Sequence, residues 1–193
     1  APKSWSDLLD PRWSGKLLII DPRTATSADR YVYTLTKYKI VEPDFFAKLA
    51  GQKLINPAGI GTRPPWTALA KGEGSILVFG ADSQGSPVLK EGAHIKPTVL
   101  SGTVLATSSA FQLIKNAPHP NAGKLFIDFV LSRQGYDLVT RMNLIVSLRK
   151  DVPDLSVMAS LQPFKIIANT IEEEAQIAKN MRDSIAAKSL GIQ

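Results

Sequence analysis

The chain has 193 residues, no cysteine and a formal net charge of +6, from 23 basic and 17 acidic residues. This length suits one large domain or one and a half small ones, and a hydrophobic fraction of 44% suffices for a buried core. The lack of cysteine excludes a disulfide framework and thiolate metal sites. Lysine and arginine are scattered without interleaved aromatic residues, which indicates a solvated basic surface and no nucleic-acid partner.

No window approaches the roughly 18 consecutive apolar residues that a transmembrane helix needs. The first residues, APKSWSDLLDPRW, lack the apolar core of a signal peptide, so we expect that any targeting segment is absent from this chain. The two histidines stand far apart, and no spacing typical of a metal site occurs. We therefore expect neither a metal nor a cofactor.

Capping signals and apolar runs predict the first elements. Ser4 and Asp7 form a Ser-x-x-Asp capping box that opens a short helix. Residues 17–20 are continuously apolar, as expected of a strand that is covered on both faces in a parallel sheet. A second capping box, Thr26 with Asp29, opens a helix whose apolar side is formed by Ala28, Val32 and Leu35.

The middle of the chain alternates short helices with strands. Pro43 is expected as the first residue of a helix that ends at Gly51, and a second helix, led by prolines, ends at Gly72. Apolar and β-branched runs predict the strands between and after these helices. The expected strands are residues 53–55, 75–80, 94–100 and 102–114.

The last third of the chain is predicted to be mainly helical. Residues 119–132 form one helix, and Ser132 caps another that runs to about Met142. Residues 144–149 predict a strand, and Thr170 caps the last helix with a glutamate three residues later. Strands that alternate with helices in this way indicate an α/β fold.

Four polar loops supply the candidate binding site. In an α/β sheet, ligands bind beyond the carboxyl ends of the strands, where helix N-termini offer unpaired N–H groups and positive dipole ends. Hydroxyl groups and an arginine there suit a carboxylate or another oxyanion. Two plainer interpretations remain, in which Thr26 only caps its helix and Arg63 is only solvated. The expected ligand-binding residues are Thr24, Thr26, Ser27, Arg63, Ser83, Gln84, Ser101 and Thr103.

An enzymatic alternative rests on residues 81–85, Ala-Asp-Ser-Gln-Gly, which resemble the nucleophile elbow of serine hydrolases. The nucleophile Ser83 needs a base, and the chain offers only His94, near an expected strand start, and His119, near a helix start. Pro87 follows where an elbow should launch a helix. We therefore favour ligand binding over catalysis.

Three segments together resemble a known family. Residues 2–22, PKSWSDLLDPRWSGKLLIIDP, resemble the segment that enters the second lobe of bacterial extracellular solute-binding proteins of the iron, thiamine and organic-anion type, which serve ABC importers. Residues 68–76, ALAKGEGSI, resemble the helix–turn–strand unit of that family. Residues 116–139 resemble its helix pair. The first and third segments are the specific ones, and their order and spacing match over essentially the whole chain.

The resemblance implies a type II periplasmic-binding-protein fold, with lobes of mixed β-sheet flanked by helices and a ligand between them. Family members carry a substantial further segment before this point. Residues 1–109 are therefore expected to be the second, ligand-binding lobe, and residues 110–193 the hinge return and C-terminal helices of a truncated first lobe. Apolar surface left uncovered by the truncation leads us to expect self-association.

The function that this resemblance implies is non-enzymatic capture of a small polar or anionic solute for an ABC permease, in the periplasm or outside the cell. Iron-binding members have adjacent tyrosines after the strand at 75–80, where this chain has Gly80 and Ala81, so iron coordination is not expected. A third interpretation is the effector-binding lobe of a transcription regulator, which shares this fold type. A regulator needs an upstream helix-turn-helix segment, and the chain has none.

Overall fold

The structure, a computed structural model, describes residues 1–20, 27–57, 63–106, 110–143, 145–156, 158–161, 163–179, 188 and 190. The helices are α1 (Ser27–Lys37), α2 (Phe45–Ala50), α3 (Arg63–Ala70), α4 (Asp82–Lys90), α5 (Pro120–Leu131), α6 (Arg133–Asn143) and α7 (Ile171–Lys179). The strands are β1 (Leu17–Ile19), β2 (Ile76–Val78), β3 (Thr103–Ala106) and β4 (Lys165–Ala168). Short 3-10 turns cover Ser6–Leu9, Pro11–Trp13, Leu100–Gly102 and Ala159–Leu161.

Strand β1 lies at the centre of the first sheet. It pairs in parallel with β2, in register from Leu17 opposite Ile76 to Ile19 opposite Val78. On its other side a single parallel bridge joins β1 to Ile55, and the Ile19 N–H donates to the Ile55 carbonyl at 2.9 Å. The predicted strand at 53–55 is therefore present as one bridge. Three parallel segments run side by side in this sheet.

A second parallel pair, β3 with β4, forms the other sheet of the described chain. Thr103 is opposite Lys165, and Ala106 is opposite Ala168. The pairing joins a strand from residues 1–109 to one from residues 110–193, so the two expected lobes share a sheet. The division of the chain at residue 109 stays a prediction.

The main core surrounds β1 and confirms the sequence patterns there. All four residues at 17–20 are fully buried, as expected for a strand covered on both faces. Ala28, Val32 and Leu35 are buried along one side of α1, as their helical spacing predicts. An aromatic group closes the core, with Trp5 stacked on Phe79 at 6.1 Å between ring centroids. The α/β class is confirmed.

Two of the three predicted capping boxes are present. The Ser4 N–H donates to Asp7 Oδ2 at 3.2 Å, and the Asp7 N–H donates back to Ser4 Oγ at 3.3 Å. The Thr170 N–H donates to Glu173 Oε2 at 2.8 Å, and the Glu173 N–H donates to Thr170 Oγ1 at 3.3 Å. Each pair satisfies two backbone donors at a helix start. The third box begins at Thr26, which lies outside the described residues.

Several local predictions are wrong, and each error has a physical cause. Residues 94–99 and 145–149 form no ladder, because an apolar run becomes a strand only where another strand accepts its hydrogen bonds. The strand expected at 102–114 is limited to β3 within its described part. Helix α2 begins at Phe45, two residues after Pro43. None of the described helices combines the length and apolarity that a bilayer crossing requires.

Candidate functional site

Three helices follow the three parallel segments of the first sheet along the chain. The chain leaves the carboxyl end of β1 towards α1, leaves the Ile55 bridge towards α3, and leaves β2 towards α4. Because the three sheet segments are parallel neighbours, the residues that follow them emerge at the same edge. Ligands of open α/β sheets bind at such an edge, beyond the carboxyl ends of the strands. This edge is the candidate site.

The turn from β2 into α4 places two of the predicted site residues in the first turn of that helix. Phe79 takes a positive φ of 65° and redirects the chain, and Ala81 is the extended N-cap residue. The N–H groups of Gln84 and Gly85 donate to the Ala81 carbonyl at 3.1 and 3.2 Å. Ser83 is half-buried and Gln84 is exposed. Residues expected to be a loop are thus helical from Asp82 onward.

Trp66 of α3 packs against this turn through two glycines. A Cβ atom at Gly80 would lie 2.8 Å from the Trp66 ring, and one at Gly85 would lie 2.5 Å from it. Both distances are shorter than real contacts, so only glycine lets the indole approach the chain on both sides of Ser83. The Trp66 Nε1 is buried and has no hydrogen-bond partner in the described part of the chain. Sequence reasoning missed Trp66, although the paired glycines signalled a close approach.

The α1 side of the site is described only in part. Ser27 opens α1 and Arg63 opens α3, but their side chains lie outside the described structure. Thr24 and Thr26 lie outside the described residues altogether. Asp29, in the first turn of α1, is buried with 4% exposure. The contribution of the two threonines stays a prediction.

Ser101 and Thr103 stand in a different setting from the other candidate residues. They come at the start of β3, before a strand of the second sheet, whereas the other loops follow strands of the first sheet. The Ser101 N–H donates to the Lys3 carbonyl at 2.8 Å, and Thr103 Oγ1 donates to the Ser101 carbonyl at 3.2 Å. These contacts tie the turn to the N-terminal segment. Their part in ligand binding stays a prediction.

The surroundings of Ser83 differ from a nucleophile elbow in backbone geometry. In such an elbow the serine occupies the strained turn between strand and helix. Here Phe79 takes the positive φ, and Ser83 is the second residue of a helix. The sequence argument from Pro87 was wrong, because α4 runs through Pro87 to Lys90. Burial of the apolar Val88 side chain favours the helix despite the loss of one backbone hydrogen bond at the proline.

Polar side chains of helix α1 contact α7 and the residue that follows β4. Thr34 Oγ1 donates to Asn169 Oδ1 at 3.0 Å, and Tyr33 donates to Glu173 at 3.2 Å. Ion pairs join Lys37 to Glu173 and Arg30 to Glu174. We call the polar contacts of these seven residues the α1–α7 network: Arg30, Tyr33, Thr34, Lys37, Asn169, Glu173 and Glu174. The network fixes the helix that begins at the candidate site.

Charge pairing in the α1–α7 network shifts the pKa values of its members. The hydrogen bond from Lys37 lowers the pKa of Glu173, and the N–H of Thr170 lowers it further. The same Lys37–Glu173 contact raises the pKa of Lys37. Desolvation, followed by the hydrogen bond to Glu173, raises the pKa of Tyr33. At neutral pH the charged forms of the Lys37–Glu173 pair are therefore the stabilised ones.

Metal-binding groups are not clustered in the described part of the chain. No set of three or more histidine, aspartate or glutamate side chains there could hold a metal ion. The site elements instead present backbone N–H groups, hydroxyls and a side-chain amide. These groups bind polar and anionic ligands through hydrogen bonds.

Comparison with known proteins places these observations in context. A family model described as bacterial extracellular solute-binding protein matches residues 1–142. An uncharacterized protein of Haemophilus influenzae is 28% identical over 138 residues, which are 71% of this chain and 39% of that protein. The structure of the periplasmic binding protein P5PA has a TM-score of 0.61 at 20% identity, over 95% of this chain and 61% of that one. The chain therefore spans less than two thirds of both.

Proposed function

Because the chain belongs to the bacterial extracellular solute-binding protein family, we propose that it captures a small polar or anionic solute and delivers it to an ABC permease. The observation that carries this proposal is the common edge at which α1, α3 and α4 begin. Each of these helices has at least eight residues, and each directs unpaired N–H groups towards the chain that precedes it. Three positive dipole ends near one edge favour a negatively charged group.

Some of the proposed ligand contacts rest on described geometry, and the others rest on the sequence argument. The first turn of α4 supplies Ser83 and Gln84, and Trp66 adds a buried indole N–H beside that turn. We include Thr24, Thr26, Ser27, Arg63, Ser101 and Thr103 in the proposal on the sequence argument. The groups are mostly neutral donors, which suits an organic acid or another small oxyanion. The absence of adjacent tyrosines from the turn at 80–83 argues against a ferric ligand.

In this proposal, binding increases the population of the closed arrangement and involves no chemical step. The solute contacts the described sheet edge and a facing surface, and it stabilises the closed arrangement only by its preference for that arrangement. The closed form then docks on the permease. The likeness to a periplasmic binding protein and the extracellular family support a location in the periplasm or outside the cell.

A thermal-shift titration tests the proposed capture. The probes are sodium phosphate, sulfate, citrate and glutamate, with spermidine as a cation of similar size. A solute at a hundredfold its Kd stabilises by about 2.7 kcal/mol, which raises the Tm of a chain of this size by roughly 5–10 °C. We expect such a shift with at least one anion and none with spermidine. The absence of any anion-dependent shift up to 10 mM, a concentration of the order of weak ligand Kd values, contradicts the proposal.

Variants of α4 separate the site from general stability. Ser83→Ala combined with Gln84→Ala should reduce the affinity for the active anion by roughly tenfold or more, since each lost hydrogen bond contributes about 1 kcal/mol. Gln134→Ala, at an exposed position of α6, is the matched control and should bind as the parent does. Hydrolysis of p-nitrophenyl acetate that Ser83→Ala abolishes would instead establish the hydrolase alternative.

A further inference from the structure

Arg30, the fourth residue of α1, places a positive charge near the start of a helix, where the helix dipole disfavours one. The Arg30 Nε–H donates to Glu174 Oε2, and the two side chains form an ion pair. This acid comes from α7, 144 residues further along the chain. The local rules of helix formation therefore do not explain the position of Arg30, and residues that break such rules are concentrated at functional sites.

A chain of hydrogen bonds holds Glu174 in place. Thr34 Oγ1 donates to Asn169 Oδ1, and Asn169 Nδ2 donates to Glu174 Oε1, both at 3.0 Å. These contacts leave α1 at Thr34 and return to it at Arg30, about one helical turn earlier. Thr34 is fully buried, so its hydroxyl requires the partner that Asn169 supplies. The acid that orients the guanidinium is thus itself oriented by Asn169.

The contact with Glu174 uses only part of the Arg30 guanidinium. A guanidinium has five N–H donors, and Glu174 accepts from the one on Nε. Among the described residues, the Nη1 and Nη2 groups of Arg30 have no acceptor. The Arg30 side chain is 31% exposed, which leaves room for a small anion at these two nitrogens.

Arg30 lies beside the candidate site. The next residue, Tyr31, contacts Phe79 with 5.1 Å between the ring centroids, and Phe79 is the first residue after β2. The turn into α4, which carries Ser83, begins at the same Phe79. Side chains on a helix lean towards its N-terminus, which for α1 is the end that follows β1. Arg30 therefore leans towards the sheet edge at which the solute is proposed to bind.

We propose that the solute is an anion and that the Nη1 and Nη2 groups of Arg30 bind its charged group, beside Ser83 and Gln84. This inference rests on the proposed function and narrows it, since an uncharged polar solute gains little from a guanidinium. Two oxygens of a carboxylate or a phosphate match the planar donor geometry of the guanidinium. Because Glu174 already fixes the orientation of the side chain, binding orders Arg30 little further.

Calorimetric titration of the full chain with sodium phosphate, sulfate, citrate and glutamate tests this proposal. For the anion that binds, Arg30→Gln should raise the Kd about ten- to hundredfold, the usual effect of losing a hydrogen bond to a charged group. Arg12→Gln is the matched control, because it removes a guanidinium that pairs with Asp10 outside the site. Its Kd should equal that of the parent.

Glu174→Gln separates a solute contact from a purely structural ion pair. Both Glu174→Gln and Arg30→Gln break the pair, but only Arg30→Gln removes the cation that meets the solute. Glu174→Gln should therefore bind the anion at least as tightly as the parent does, and more tightly at low salt, because a nearby negative charge is gone. An equal loss of affinity in both variants overturns the proposal and assigns the pair a structural role.

The remaining outcomes separate this inference from the proposed function. A Kd that Arg30→Gln leaves unchanged overturns the role of Arg30, and the proposed capture of an anion stands. A parent chain that binds none of the four anions contradicts both proposals. The stoichiometry of binding, which should equal that of the parent, shows that each variant is folded.

Discussion

At the scale of single residues, the contact of Trp66 with Gly80 and Gly85 determines how α3 and α4 meet. The indole lies where a side chain on either glycine would lie. The two glycines flank the first turn of α4, so the position of that turn depends on the ring. The residues that the sequence indicated for ligand binding, Ser83 and Gln84, are positioned by a residue that it did not indicate.

Gly85→Ala should lower the free energy of unfolding by about 1–3 kcal/mol, the usual cost of overpacking, although alanine has the higher helix propensity. Urea titration measures this cost. Trp66→Leu removes the colliding atoms, so the double variant should be more stable than the sum of the single effects predicts. Additive single effects would show that the collision is relieved by backbone movement instead.

At the scale of elements, helix predictions succeeded where the pattern was local. The spacing of Ala28, Val32 and Leu35 defined the buried side of α1, and the capping pair at Thr170 defined the start of α7. Strand predictions depended on partners that the sequence does not specify. Residues 145–149 include three large apolar side chains but form no ladder, whereas β1 has neighbours on both sides.

The start of α4 shows that the candidate site, too, depends on tertiary contacts that the sequence does not specify. Pro87 made a helix over residues 82–90 improbable by local rules, and tertiary contacts nevertheless favoured it. The rule for parallel sheets predicts that α1, α3 and α4 converge at one sheet edge. The contact of Trp66 with the glycines depended on how α3 packs on α4, and no periodicity in the sequence encodes that packing.

The α1–α7 network should make stability depend on pH in the acid range. The pKa of Glu173 is lowered from an ordinary value of 4.5, so its contribution is present above that pH and is lost as the pH falls through the lowered value. Glu173→Gln should therefore lower the Tm at pH 7, and the difference from the parent should shrink below pH 4.5.

Glu42→Gln is the control for this pH dependence, because Glu42 is exposed and lies outside the α1–α7 network. It should leave the Tm of the parent unchanged across the acid range. The measurement is differential scanning fluorimetry from pH 7 downwards. A Tm difference between Glu173→Gln and the parent that stays constant to pH 3, about one unit below the ordinary glutamate pKa, would show that the charge of Glu173 contributes nothing.

At the scale of the whole molecule, two sets of side-chain contacts join the helices of the first sheet to later parts of the described chain, in addition to the Ser101–Lys3 hydrogen bond. One is the α1–α7 network, and the other joins α4 to α6, where Lys90 Nζ donates to the carbonyls of Arg141 and Met142 at 3.2 and 3.1 Å. A lysine at these carbonyls satisfies the open end of a helix. Two of the three helices assigned to the candidate site, α1 and α4, thus contact later parts of the chain.

The candidate site and helix α5 belong to different parts of this arrangement. The site elements follow strands of the first sheet, whereas α5 packs on α6 and on residues 111–114.

Helix α1 takes part in two sets of contacts within its eleven residues. In the proposed function its first turn faces the solute, and its later residues are the partners of Asn169, Glu173 and Glu174. In that proposal, solute capture and docking of the C-terminal segment both involve helix α1. Any change in solute affinity that docking of this segment causes is matched by an equal change in docking that the solute causes, because linked equilibria are reciprocal.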